Sequence, residues 1–138
     1  MIFNKTLEYA LQTVIFLSNN PISSPISSPI SQKKIASSLN IPYHYLGKIF
    51  QQLNSTGITG SKTGPLGGFY LVKSPKQISL SDIFVGEKYF ESCVLGQNTC
   101  AKSPCPIHYD WISAKVILKN IFNNYTVYDW SNKFHSST

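Results

Sequence analysis

The sequence contains no arginine, so its twelve cationic side chains other than histidine are all lysines. Lysine binds phosphate as a point charge but lacks the planar fork with which arginine reads guanine. Any base recognition must therefore use lysine, aromatic, amide, hydroxyl or backbone groups. Acids are also scarce: the six acids are scattered, and His44 and His135 lie outside any motif. A hydrolytic centre would need such groups clustered, so we do not expect an enzyme.

Long apolar runs and a framework of paired cysteines are also missing. No apolar run reaches the roughly 18 residues that a transmembrane helix needs. The first residues lead directly into a periodic segment without a signal-peptide cleavage site, so we expect a cytoplasmic protein that does not bind membranes. The three cysteines are an odd number, which argues against a disulfide framework.

The net charge of +6 belongs entirely to the first part of the chain. Residues 1–80 carry seven lysines and only one acid, Glu8, whereas residues 81–138 carry equal numbers of lysines and acids. A basic segment joined to a neutral one is typical of a module that binds a polyanion. We therefore predict a DNA-binding domain over residues 1–80 and a second unit over residues 81–138.

Residues 31–54 have the pattern of a helix-turn-helix. Ser31 is a suitable N-cap for a short helix over residues 32–39. Pro42 suits the first turn of a second helix over residues 42–54, the predicted recognition helix. This second helix combines an apolar stripe with a polar, cationic outer face, which is the face expected to meet DNA.

The chain before the helix-turn-helix contains a helix and a repeat. Apolar residues at spacings of three and four predict a helix over residues 4–17. The repeat PISSPISSPIS, residues 21–31, places proline at every fourth position, which forbids a helix. We interpret this repeat as an extended insertion at the surface.

A glycine-rich hairpin is predicted directly after the recognition helix. Short strands are expected over residues 58–62 and 69–72, with a turn over residues 63–68. A plain hairpin would explain some of the glycines, but not the basic helix immediately before them. Three helices and a hairpin predict a mainly α fold with a small β-hairpin wing, a winged helix-turn-helix that binds double-stranded DNA. The expected DNA contacts are Lys33, Lys34, Tyr43, His44, Lys48, Lys62, Thr63, Gly64, Pro65, Leu66 and Gly67.

The last long helix is predicted over residues 106–123, after a short helix over residues 79–89 and before another over residues 127–132. Its apolar surface is broader than the core of a small domain needs, so we expect part of it to bury against a partner. Homodimerisation is the economical interpretation, because a two-fold protein matches two DNA half-sites.

All three cysteines lie in the segment Cys93–His108, CVLGQNTCAKSPCPIH, with the spacing C-x6-C-x4-C-x2-H. Thiols crowded into a bent polar segment indicate a metal or redox centre. A structural zinc site of the Cys3His type fits these residues. A reactive thiol that senses redox state also remains open, although the segment has no CxxC pair.

In this order, the motifs resemble the bacterial iron–sulfur regulators typified by IscR and NsrR. The resemblance covers nearly the whole chain apart from the insertion. The family's commonest spacing divides the cysteine span evenly, whereas six and four residues separate the cysteines here. The matching segments are LEYALQ (7–12), IPYHYLGKIFQQL (41–53), TGPLGGFYL (63–71), ISLSDIF (78–84), the cysteine segment and YTVYDW (125–130).

The resemblance implies a homodimeric winged-helix transcription factor with a two-iron or four-iron cluster on Cys93, Cys100 and Cys105. Family members place the fourth ligand at a histidine that matches His108, or at a partner-chain carboxylate that matches Glu8. Both positions hold competent ligands here, and we favour Glu8. The implied function is control of promoter affinity by nitric oxide, oxygen, redox state or iron–sulfur status. Zinc on the same residues, or a cysteine thiol sensor without a cluster, are the alternatives.

Overall fold

The structure, a computed structural model, describes residues 5–19, 29–83 and 106–136, and describes side chains as far as Ser131. Within these ranges the chain is mainly helical with a two-stranded antiparallel hairpin, which confirms the predicted fold class. The cysteine segment before Pro106 lies outside the described residues. The elements in chain order are α1 (Lys5–Asn19), α2 (Gln32–Leu39), α3 (Tyr43–Ser55), β1 (Thr59–Lys62), β2 (Gly68–Leu71), a 3-10 turn (Pro75–Gln77), α4 (Leu80–Ile83), α5 (His108–Asn124) and α6 (Val127–Ser136).

One apolar core holds the helices and the hairpin together. Leu17 of α1, Ile35 of α2 and Phe50 of α3 are each at most 1% exposed, so the three helices share this core. Ile58, which lies between α3 and the hairpin, is also buried in this core. Burying apolar side chains of this size contributes about 1.5–3 kcal/mol each, so the core supplies most of the driving force for this arrangement.

The C-terminal part of the chain returns to this same core. Val127 is fully buried, and its amide donates to the Ile78 carbonyl at 2.9 Å. The hydroxyls of Ser18 on α1 and Ser131 on α6 are 2.6 Å apart and share a hydrogen bond. These contacts fix α6 against the helical domain. The division of the chain at residue 80 stays a prediction.

The predicted surface insertion ends inside the fold. Ile30 is 5% exposed and exchanges two backbone hydrogen bonds with Phe69 of β2, at 3.0 and 2.8 Å. Gly68 makes this approach possible, because a Cβ there would lie 2.3 Å from the Ile30 carbonyl oxygen. The end of the repeat is therefore extended, as expected, but it is buried against the hairpin.

The outer side of α5 is broadly apolar and uncovered. Phe122 faces the core at 8% exposure, while the opposite side chains remain open to solvent. The exposed apolar side chains on this helix are Tyr109 at 74%, Ile112 at 42%, Val116 at 54%, Ile117 at 60% and Ile121 at 42%. An apolar surface of this extent is typical of a protein–protein interface.

No helix within the described ranges is both long and apolar enough to cross a membrane.

Candidate nucleic-acid interface and metal ligands

The turn between α2 and α3 is set by local backbone chemistry. Ser31 caps α2, because its hydroxyl accepts a hydrogen bond from the Lys34 amide at 3.2 Å. Asn40 ends α2 in the left-handed region with φ of 54°, and the following Ile41 amide donates to the Ala36 carbonyl. Asparagine tolerates this conformation better than most residues. The sequence from Asn40 to Pro42 thus fixes the angle at which α3 leaves α2.

The outer face of α3 carries the predicted contact residues. Leu46, with Ile49 and Phe50, faces the core at 1% exposure or less, which leaves the opposite face to solvent. Tyr43 is 51% exposed and His44 and Lys48 are also exposed. A hydrogen-bonding ring, an imidazole and a cation on one exposed helix are suited to base edges and phosphates.

Gln32 of α2 contacts the start of α3, although the sequence did not single it out. Its Nε2 donates to the Tyr43 carbonyl at 2.8 Å, which joins the start of α2 to the start of α3. Gly47 gives Gln32 room, since a Cβ at Gly47 would lie 3.2 Å from the same nitrogen. Its partner lies eleven positions away, so no local pattern would have revealed this contact.

The hairpin turn projects the remaining candidates into solvent. Lys62, Thr63, Gly64, Pro65 and Leu66 are all exposed, and Leu66 reaches 86%. The turn is tight because the Gly67 amide donates to the Gly64 carbonyl at 3.0 Å. A Cβ at Gly67 would lie 2.1 Å from the Lys62 carbonyl oxygen, so this position requires glycine.

The start of α2 and the tip of the hairpin lie side by side. A shallow depression of about 270 Å³ is lined by Lys34 on one side and by Pro65, Leu66 and Gly67 on the other. Lys33 is exposed on the same first turn of α2. The structure thus brings predicted contacts from two separate segments together on one basic surface.

The predicted cluster ligands are only partly described. Cys93, Cys100 and Cys105 lie outside the described residues, and within the described ranges no three acidic, histidine or cysteine side chains group as a metal site. His108 begins α5, where its ring meets Tyr109 edge-on at 5.1 Å. The ligand set stays a prediction.

Glu8 lies on the exposed side of α1 in the first two turns. Its side chain is 31% exposed and accepts a hydrogen bond from the Lys5 ammonium at 3.0 Å. That hydrogen bond, together with the carboxylate charge, raises the pKa of Lys5. Glu8 also borders an open groove of about 430 Å³ whose apolar wall includes Phe16 and Trp130. An exposed ion pair contributes little, so the carboxylate is free to take another partner at small cost.

Comparison with known proteins decides the family. A family model described as "Rrf2: Iron-dependent Transcriptional regulator" matches residues 3–133. The chain belongs to the Rrf2 family. An Aquifex aeolicus (strain VF5) protein named as an HTH-type transcriptional regulator is similar across 96% of this chain and 92% of its own length. The two are 33% identical over 138 residues.

Two solved structures share the fold. The global cysteine regulator CymR of B. subtilis has a TM-score of 0.76 and 24% identity, covering 95% of this chain and 96% of that one. T. potens IscR has a TM-score of 0.74 and 19% identity, covering 99% and 90%. The family resemblance inferred from sequence is confirmed. Rrf2 relatives are named as transcriptional regulators, which also confirms the expectation that the chain is not an enzyme and makes DNA its partner.

Proposed function

We propose that this Rrf2 protein binds operator DNA as a homodimer and that an iron–sulfur cluster on Cys93, Cys100 and Cys105 controls that binding. Glu8 of the partner subunit is our fourth ligand, with His108 as the alternative. The protein would act in the cytoplasm on signals such as nitric oxide or oxygen. The observation that supports the DNA-binding part is the basic surface where Lys34, at the start of α2, lies beside Pro65, Leu66 and Gly67 at the hairpin tip.

Electrostatics supports the DNA-binding part. Lys33 and Lys34 at the start of α2, Lys48 on α3 and Lys62 beside the hairpin tip are all exposed. Lysines at these positions would neutralise phosphates on either side of the groove that receives α3. With no arginine in the chain, Tyr43, His44 and the backbone of the hairpin tip are left to read bases.

The exposed face of α5 supports the homodimer. Val116 and Ile117, both more than half exposed, stand near the middle of its apolar surface. Covering this surface with the same surface of a second copy would give the two-fold symmetry that paired half-sites require.

The donor set fits an iron–sulfur cluster. Thiolates are the usual ligands of such clusters, and carboxylate or imidazole fills an iron position in some proteins. The Glu8 carboxylate is held only by an exposed ion pair among the contacts described, so it is available as a ligand. When bound, the cluster would supply a link that oxidation or nitric oxide breaks. The family description also names iron dependence.

Two alternatives use the same three cysteines. A zinc ion would take Cys93, Cys100, Cys105 and His108 as a closed tetrahedral site. A thiol sensor would use cysteine oxidation alone. The fold shared with Staphylococcus aureus CymR supports this alternative, since the solved oxidised form of that protein matches this chain with a TM-score of 0.70.

Anaerobic purification distinguishes these alternatives. We expect brown protein with visible charge-transfer bands and with iron and acid-labile sulfide in equal amounts. Colourless protein with zinc, or with no metal, would overturn the cluster. Glu8→Ala is expected to lower cluster retention, while Asp110→Ala, which removes another exposed carboxylate, is not. Loss on His108→Ala but not on Glu8→Ala would assign the fourth position to His108.

A further inference from the structure

We propose that Tyr45 and Thr6 form the mechanical link through which the state of the cluster reaches the recognition helix α3. The inference rests on the proposed function, specifically on Glu8 as the fourth ligand. Tyr45 is a positioning residue, because it is neither a predicted ligand of the cluster nor a predicted DNA contact. Its role is to make the orientation of α3 depend on the first turns of α1.

The link is a direct contact between two helices. The Thr6 hydroxyl on α1 and the Tyr45 hydroxyl on α3 are 2.5 Å apart and share a partly buried hydrogen bond. The Tyr45 ring also meets the Tyr9 ring edge-on, with centroids 5.3 Å apart and planes at 85°. Tyr45 therefore contacts α1 at two residues, and these residues flank Glu8 on either side in the sequence.

A restraint on the position of Glu8 also restrains its neighbours in the same helical turn. Thr6, Glu8 and Tyr9 occupy about one helical turn, which backbone hydrogen bonds hold as a unit. If Glu8 coordinates the cluster of the partner subunit, this turn gains a second point of attachment. Thr6 and Tyr9 then have one favoured position relative to the cluster, and Tyr45 transfers that position to α3.

Tyr45 is placed where such a transfer matters. It is half-buried, between Leu46 on the core side and the exposed His44 on the DNA-facing side. A small displacement of Tyr45 therefore shifts the first turn of α3, which carries Tyr43 and His44. A coupling of this kind changes DNA affinity only if the contact is stronger in one of the two arrangements.

The Lys5–Glu8 pair provides the competing state. When Glu8 does not coordinate a cluster, its carboxylate pairs with the Lys5 ammonium at 3.0 Å. That ammonium also lies 5.8 Å from the centroid of the Tyr9 ring. Ligation removes the carboxylate from this pair. The ammonium remains near Tyr9, one of the two residues that hold Tyr45.

The test compares operator affinity in cluster-loaded and cluster-free protein for Tyr45→Phe, which keeps the ring but removes the hydroxyl, and for Thr6→Val. Losing one hydrogen bond changes an equilibrium constant by about two- to tenfold. We therefore expect the ratio of the higher to the lower of the two affinities to fall by that factor. Both variants should load cluster with the wild-type spectrum. In the double variant the ratio should fall no further, because one bond has been removed.

Matched controls carry the same chemical changes elsewhere. Thr13→Val removes a hydroxyl that, among the described residues, donates within α1 to the Tyr9 carbonyl. Tyr128→Phe removes a hydroxyl on α6. Both should keep the wild-type ratio. An unchanged ratio in Tyr45→Phe and Thr6→Val overturns the link, as does failure of both variants to load cluster, since that would make the pair part of the cluster site. If the wild-type ratio is itself one, the proposed function fails instead.

Discussion

The ring of Phe50 on α3 lies parallel to the ring of Phe69 on β2, with 3.7 Å between centroids and 6° between planes. Phe69 also pairs through its backbone with Ile30, just before α2. This stack therefore joins the recognition helix, the hairpin and the approach to α2 into one body. The residues of these elements that we predict to contact DNA are expected to move together.

Truncating one ring of this stack tests how much the stack contributes to the free energy of unfolding. Phe50→Ala is expected to lower the free energy of unfolding by about 3–5 kcal/mol, because a fully buried ring leaves a cavity. Leu66→Ala, at a side chain 86% exposed, should change it by less than about 0.5 kcal/mol. Denaturant unfolding of the cluster-free protein measures both. A loss below about 1 kcal/mol for Phe50→Ala would show that the stack adds little.

Asn40 tests the turn between α2 and α3. Its φ of 54° suits asparagine and glycine. In other residues the β-carbon is strained at this φ, and their side chains form no local hydrogen bond that would compensate. Asn40→Ala is therefore expected to cost about 1 kcal/mol of unfolding free energy, and Asn40→Gly to stay within about 0.5 kcal/mol of wild type. Equal losses in the two variants would mean that the asparagine side chain, and not the backbone conformation, stabilises the turn.

The turn and the capping residues are also where prediction from sequence worked best. The bounds 32–39 for α2 match the structure, because Ser31 at its start and Asn40 to Pro42 at its end are local signals. The hairpin strands were predicted to within one residue at each end, because the glycine-rich turn between them is a local signal. Gly64 adopts a φ of 106° in this turn, which residues with a side chain rarely reach. For α1 and α3 the predicted ends differ from the observed ones by two residues or fewer.

Contacts between distant segments were not predictable. Three contacts join residues far apart in sequence: the Ile30–Phe69 bridge, the Thr6–Tyr45 hydrogen bond and the Phe50–Phe69 stack. None of them produces a periodic pattern in the sequence. Sequence patterns therefore predict candidate side chains for DNA binding but not the contact between α1 and α3. The three cysteines predicted as cluster ligands lie outside the described residues, so this assignment stays a prediction.

Lys48 tests the phosphate contacts. Lys48→Ala is expected to weaken binding to all duplexes by a similar factor and to reduce the slope of log affinity against log salt by about 1, because one fewer counterion is released. Lys119→Ala removes an exposed lysine from α5 and should leave the slope unchanged. Fluorescence anisotropy over a range of salt concentrations gives both slopes. An unaltered slope in Lys48→Ala would remove it from the phosphate contacts.

The outer face of α5 tests the homodimer. Val116→Glu would place a charge in the proposed interface, and an unpaired buried charge is costly, so we expect monomers and weak operator binding. Ser74→Glu adds the same charge at an exposed position away from α5 and should leave a dimer. Light scattering after size exclusion reports the mass. A dimeric Val116→Glu protein would place the interface elsewhere.

The most direct measurement compares the DNA affinity of one preparation of the protein with and without its cluster, using the same duplex for both forms. The duplex is selected from a random library in parallel with both forms, and its affinity for each form is then measured anaerobically at fixed salt. Since couplings between sites are typically about 5- to 150-fold, we predict a difference within that range. Equal affinities of the cluster-loaded and cluster-free forms for every selected duplex would contradict cluster control of DNA binding.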